Sequence, residues 1–148
     1  MREIVFNHAG LRELISQRAR VACADDAAVI GALRDGRPHG GFLYTGYLGA
    51  SIHVHMAGTD EKWCSPDLLA LAFHYPFVQL GVAKLIAPVP STNELALSQD
   101  LRCGFVVEAI IQDAIPDGDL FILTMRREQC RFLGRRIRGF TPGVTGST

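Results

Sequence analysis

Apolar positions recur along the chain in two rhythms, and these divide it into alternating helices and strands. Leu11, Leu14 and Ile15 keep helical spacing over residues 11–20. Residues 25–33 read as a second helix, with Asp25 or Asp26 as its cap. Asp35, Gly36, Arg37 and Pro38 then break the chain. Aromatic residues Phe42, Tyr44 and Tyr47 mark a strand over 41–48. The clearest alternation follows at 51–57, with Ile52, Val54 and Met56 on one face and Ser51, His53 and His55 on the other.

After a loop at 58–63, Ser65, Pro66 and Asp67 start a helix: a hydroxyl cap, a proline in the first turn and an acid at the positive end. It is expected to run to about Gln79, with Gly81 closing it. The apolar run at 82–89 predicts a buried strand. Ser91 and Glu94 match a capping box for a helix ending at Cys103 and Gly104. A hairpin over 105–111 and 120–125 turns at Pro116, Asp117 and Gly118. A last amphipathic helix is expected from Arg126, with Cys130 and Leu133 on its apolar side. The helix crossovers between strands predict a mixed sheet in one domain over residues 1–138, and the composition of 139–148 predicts a flexible tail.

Composition narrows this only slightly. The 148 residues fit one domain, and 48% hydrophobic with 20% charged residues is ordinary for a folded protein. Fifteen basic and fifteen acidic side chains cancel, so no global field favours nucleic acid or membrane. Locally, however, residues 126–138 hold six arginines and one glutamate. Arg127, Arg131 and Arg135, four apart, predict a basic stripe for an acidic protein partner, together with the tail, and an oligomer or larger assembly fits the same surface. Cys23, Cys64, Cys103 and Cys130 form no CxxC pair, which argues against a zinc ribbon and for free thiols in a reducing compartment. The first residues lack the apolar run of a signal peptide, so a cytoplasmic setting is expected.

Four stretches carry a family resemblance: residues 51–58; residues 73–81; Ser91, Thr92, Asn93 and Glu94 followed by Cys103, Gly104 and Phe105; and residues 125–133. In this order and spacing they resemble the GNAT acetyltransferases, most closely the short GNAT-fold proteins of bacteriophages. The resemblance implies an α/β fold with helices on both faces of a mixed sheet and a splay between its fourth and fifth strands. It further implies acetyl-CoA in that splay, the pantetheine arm on Met56, Ala57 and Gly58, the pyrophosphate near Lys62 and Ser65, and Asn93 beside the cofactor. The sequence departs from the family where glycines usually cradle the pyrophosphate. Cys64 and Pro66 stand there, with Asp67 adding negative charge. The tyrosine that many members carry on the fourth helix is absent from residues 96–101.

His55, or its neighbour His53, could take a proton from an attacking amine; the plainer reading is a packed histidine with satisfied nitrogens. Glu108 could orient or deprotonate the amine; the plainer reading is a surface ion pair. No third ligand has the spacing to make a metal site with His53 and His55. The sequence therefore predicts an acetyl-CoA-dependent N-acetyltransferase acting on an amine. The competing expectation is a GNAT-fold interaction protein without catalysis, serving in a bacteriophage particle or its assembly inside the host bacterium.

Overall fold

A computed structural model describes residues 1–134. The element order is β1 (Arg2–Phe6), α1 (Ala9–Ala19), β2 (Val29–Arg34), β3 (Arg37–Thr45), β4 (Ser51–Gly58), α2 (Pro66–His74), β5 (Lys84–Pro90), α3 (Glu94–Cys103), β6 (Val106–Ile115) and β7 (Gly118–Arg126). The strands form one sheet in the order β1-β2-β3-β4-β5-β7-β6. Only β4 and β5 run parallel; all other neighbours are antiparallel. One face is covered by α1, whose Leu11 and Ile15 pack on Val29, Leu33 and Leu43. The other carries α2 and α3 over a core that includes Phe42, Phe73, Phe77, Leu85 and Leu123.

Two expected elements are different. Residues 25–33 are not a helix: the segment ends in β2, where Val29 to Leu33 are all buried. A strand covered on both faces loses its polar alternation, and a short run of that kind cannot be told from a helix by period alone. Nor does a helix begin at Arg126. There β7 ends, followed by a single 3-10 turn at Arg127–Gln129 and further turns to Gly134. Arg127 donates to the carbonyls of Gly81 (2.8 Å) and Val82 (2.7 Å), and Arg131 to those of Arg102 (2.6 Å) and Cys103 (3.1 Å). These arginines tie chain ends together rather than forming a helical stripe, and Arg135 lies outside the described residues, as does the expected tail at 139–148.

Caps are also reassigned. Asn93, not Ser91, caps α3, its Oδ1 accepting from the Ala96 amide at 3.2 Å. Ser91 Oγ instead accepts from Asp119 N at 2.9 Å and ties the β6–β7 hairpin to the end of β5. Beyond His74 the chain continues as a π-helical turn over Tyr75–Gln79 that contains Pro76.

The parting of β4 from β5 follows from strand parity. Arg127 N donates to Ala83 O and Ser91 N to Asp119 O, so odd-numbered residues of β5 hydrogen-bond β7. Even-numbered ones face β4, as the bond from Lys84 N to Ala50 O shows. Pairing with β4 covers only Ser51↔Lys84, Ile52↔Leu85 and His53↔Ile86. The next β5 residues facing β4 are Pro88 and Pro90, which have no N–H to donate.

At the far end of β4, Trp63 folds back over the sheet and is 4% exposed. Its ring lies so close to Gly40 and Gly58 that an added Cβ would sit 2.6 Å and 2.0 Å from it. Gly58→Ala is expected to destabilise the fold by about 1–3 kcal/mol through overpacking. Chemical denaturation should show Gly58→Ala and Trp63→Phe to be less than additive in combination; full additivity would mean that the ring is not what excludes the methyl group.

Candidate functional site

The gap between the strands presents unpaired main chain. Thr59 N donates to His39 O, in register with the β3–β4 ladder, so odd-numbered residues of β4 are turned to β3. The N–H and C=O groups of Val54, Met56 and Gly58 therefore face the gap, beyond the last pairing with β5. Of the three positions expected to hold an extended arm, Met56 and Gly58 lie on this edge. Ala57 is paired with Gly41, and Val54 joins the edge in its place. The Gly58 carbonyl also accepts from Arg18 at 3.4 Å.

The loop from β4 to α2 is folded onto the sheet by its own polar groups. Asp60 Oδ1 accepts from Lys62 N (2.7 Å) and contacts His39 Nε2 (3.1 Å), and Arg34 lies 3.6 Å from the other oxygen. The Lys62 carbonyl accepts from Arg2 at 2.6 Å. Ser65 Oγ accepts from Leu68 N at 3.1 Å, and Pro66 has no amide hydrogen. Two of the amides that could meet an anion at this helix start are thus engaged, a third is missing, and Asp67 brings negative charge to the first turn. The Lys62 side chain, three residues before the Ser65 cap, is exposed.

The expected acid–base residues are far apart. His55 stands on the α1 face of β4, its Nε2 3.4 Å from Thr45 Oγ1. Burial, and then His53, push its pKa down to about 4, so it is neutral at pH 7. Neighbouring His53 has a buried Nδ1 without a hydrogen-bond partner. Glu108 lies on β6, three strand spacings or roughly 14 Å from β4. Its carboxylate meets Lys84 Nζ (2.5 Å) and Thr124 Oγ1 (2.9 Å), and these bonds hold its pKa below the usual value. Asn93 caps α3.

The sequence reading overlooked Asp100. It sits in the apolar stripe of α3 with Ala96, Leu97 and Cys103, is 2% exposed, and its Oδ1 has no hydrogen-bond partner. Desolvation raises its pKa to about 7. α3 packs on β5, while Cys103 lies within the field of Asp100 and Cys64 within that of Cys103. The buried face of α3 therefore packs on β5, with Asp100 and Cys103 on its inner side. A single aspartate in an otherwise apolar helix stripe was the available signal. A cavity of about 470 Å³ lies elsewhere, at the joined end of β4 and β5, walled by Asp26, Tyr44, Tyr47, Ile52 and Tyr75 among others.

No model of a known protein family matches the sequence, and neither does any curated protein. Solved structures do match. Acetyltransferase yncA of Salmonella typhimurium, solved with acetyl-CoA, superposes with a TM-score of 0.68 at 14% identity, over 85% of this chain and 94% of that one. The spermidine/spermine N-acetyltransferase SpeG of Vibrio cholerae gives 0.66 at 14% identity, over 86% and 96%. The fold is that of the GNAT acetyltransferases. A GNAT-family acetyltransferase of Bacillus anthracis gives 0.57 at 11% identity, over 82% and 87%. Of one further acetyltransferase structure the chain spans 62% of the length. The splay is the GNAT feature seen between β4 and β5 here, and nothing among these structures supports the expected bacteriophage origin. Among the described residues no helix is long and apolar enough to cross a membrane.

Asp100 makes GNAT-fold stability depend on pH. Its folded value of about 7 lies above the unfolded 3.8, so between these values the folded chain keeps a proton that the unfolded chain has lost. Stability contributed by this group is present below pH 4, falls as pH rises towards 7, and is absent above. Asp100→Asn should remove on the order of 4 kcal/mol of this dependence, narrowing the loss between pH 4 and pH 8. Denaturation curves at both pH values test it; equal losses in the two proteins would show that Asp100 is ionised throughout.

Proposed function

We propose that this protein is an acetyl-CoA-dependent N-acetyltransferase acting on an amine. The observation that carries this reading is the unpaired edge of β4, whose Val54, Met56 and Gly58 groups can bind an amide-bearing pantetheine arm as a neighbouring strand would. The GNAT-fold structures similar to it, one solved with acetyl-CoA and one described as acting on spermidine and spermine, support the same class of reaction. The helix start at Ser65 fits a pyrophosphate poorly, so the Lys62 ammonium takes the larger share of binding it.

Acetyl-CoA supplies the activated acetyl group. The β4 amides orient the arm and polarise the thioester oxygen. Acetyl-CoA bound there would give up its acetyl group to the acceptor nitrogen as the carbon–sulfur bond breaks, and the Asp100 carboxyl, recharged from water, would supply the proton that the sulfur needs. The amine sheds its own proton to solvent, because His55 and the ion-paired Glu108 are both too weakly basic to remove it at neutral pH. The role of His55 is to fill and orient the α1 side of the strand.

A second reading, a GNAT-fold binding protein without catalysis, is favoured by one observation: the loop amide of Lys62 and the α2 amide of Leu68 are already occupied. Calorimetric titration with acetyl-CoA separates the two. Micromolar binding, about −8 kcal/mol, weakened by Lys62→Ala, supports the transferase. No heat at millimolar ligand sinks it. Given binding, turnover with a panel of amines should decline above pH 7 as Asp100 ionises, and Asp100→Asn should lower kcat by roughly 10²-fold while flattening that limb; an unchanged profile would remove Asp100 from the mechanism.

A further inference from the structure

The loop after β4 holds one of its own carboxylates as a bound anion would be held. Asp60 Oδ1 accepts from the Lys62 amide at 2.7 Å and lies 3.1 Å from His39 Nε2, while Oδ2 is 3.6 Å from Arg34. These three groups come from separate places: the loop itself, β3 and the end of β2. An ionised carboxylate only accepts, so Nε2 carries the imidazole proton and donates it. His39 is 2% exposed, and its Nδ1 has no hydrogen-bond partner among the described residues. Packing alone would favour an apolar residue there. A buried imidazole with an unsatisfied nitrogen costs stability and points to a binding role.

The frame of this cradle does not depend on Asp60. Thr59 donates to the His39 carbonyl from its amide (2.8 Å) and its hydroxyl (3.2 Å), and Arg2 donates to the Lys62 carbonyl at 2.6 Å. Trp63, buried against Gly40 and Gly58, anchors the next residue of the loop. Asp60 itself is 45% exposed and Arg34 58%. The occupant also fits incompletely: Arg34 stands at 3.6 Å, whereas a charge-assisted bond is about 2.7–2.9 Å long. A tetrahedral phosphate, with three acceptor oxygens and more charge than a carboxylate, satisfies all three donors better. Glu61, the loop's other acid, makes none of these contacts.

We propose that Arg34, His39 and the Lys62 amide form a phosphate-binding subsite over the ends of β2 and β3, which Asp60 closes in the free chain by standing in for the phosphate. A ligand phosphate displaces the carboxylate into solvent, frees Lys62 N and takes over its bonds. The subsite draws on no amide of the first turn of α2. Naming the phosphate as one of acetyl-CoA rests on the transferase reading above; the subsite itself does not.

Calorimetric titration of the full chain with inorganic pyrophosphate, and separately with acetyl-CoA, at low ionic strength tests this. Pyrophosphate should bind the unmodified chain, bind Asp60→Ala roughly 10-fold more tightly because the competing charge is gone, and bind Arg34→Gln roughly 10-fold less tightly. Trp63 fluorescence should match in all three, showing that the loop stays on the sheet. NMR of the unmodified chain keeps the test valid if Asp60→Ala loosens the loop: the Lys62 amide and the His39 ring nitrogens should be the signals that pyrophosphate shifts most. A folded Asp60→Ala that binds no more tightly, an Arg34→Gln that binds as well as the unmodified chain, or Lys62 and His39 signals that stay still would each overturn the proposal. The expected pyrophosphate pattern without any acetyl-CoA binding would keep the subsite and sink the transferase. Acetyl-CoA binding that ignores both substitutions would sink the subsite alone.

Discussion

Everything distinctive in this molecule hangs on three residue pairs, Ser51↔Lys84, Ile52↔Leu85 and His53↔Ile86, after which two parallel strands separate. Parallel strands that are covered on both faces normally stay hydrogen-bonded along their length, because an unpaired buried amide costs about 1–3 kcal/mol. Here β5 cannot supply the donors. Pro88 and Pro90 fall on the parity that faces β4, while the opposite parity remains fully bonded to β7. One strand is thus anchored firmly on one side and chemically silent on the other. The consequence is a row of main-chain groups on β4 that water or a peptide-like ligand must satisfy.

What closes over the upper end of that gap is also set by local chemistry. Asp60 draws the loop towards His39 and Arg34, and Trp63 then lies flat on the glycines at positions 40 and 58. The arrangement is stable because an indole is buried and the aspartate is neutralised, but it consumes amides that would otherwise point outwards. A helix start that binds anions needs free N–H groups and no competing carboxylate. At the start of α2, Pro66 has no N–H, Leu68 N is engaged by Ser65, and Asp67 is a competing carboxylate. Affinity for a phosphorylated ligand must therefore come from the arm and from side-chain charge, which makes it more sensitive to salt.

Asp100 illustrates the opposite compromise. A carboxyl group with a free oxygen inside an apolar helix stripe destabilises the fold at neutral pH, and packing does not call for it. Retaining a proton near pH 7 in a water-poor wall is a property suited to chemistry rather than to structure. Stability elsewhere has to offset it, and the large aromatic cluster of Phe42, Phe73, Phe77, Phe105 and Phe132 lies on the same face.

Much of this was legible in the chain itself. Alternation at 51–57, the Ser65 and Pro66 helix start, the apolar run of β5 and Gly104 closing α3 are local signals, so the sequence by itself determined the crossover order and with it the GNAT-like layout. β2 escaped because it is covered on both faces, which erases the period that would reveal a strand, and β1 because it is a short, largely exposed edge strand. A helix at Arg126 was expected from spacing alone, yet carbonyls at Gly81, Val82, Arg102 and Cys103 claim its arginines. Asn93 was recognisable as important, but only the folded chain shows its oxygen capping α3. Whether a histidine is basic, a glutamate paired or an aspartate protonated depends on neighbours across the sheet and on exclusion of water. Those quantities are three-dimensional, so tertiary structure alone decided that burial weakens His55 as a base, that Glu108 belongs to Lys84, and that desolvation raises the pKa of Asp100.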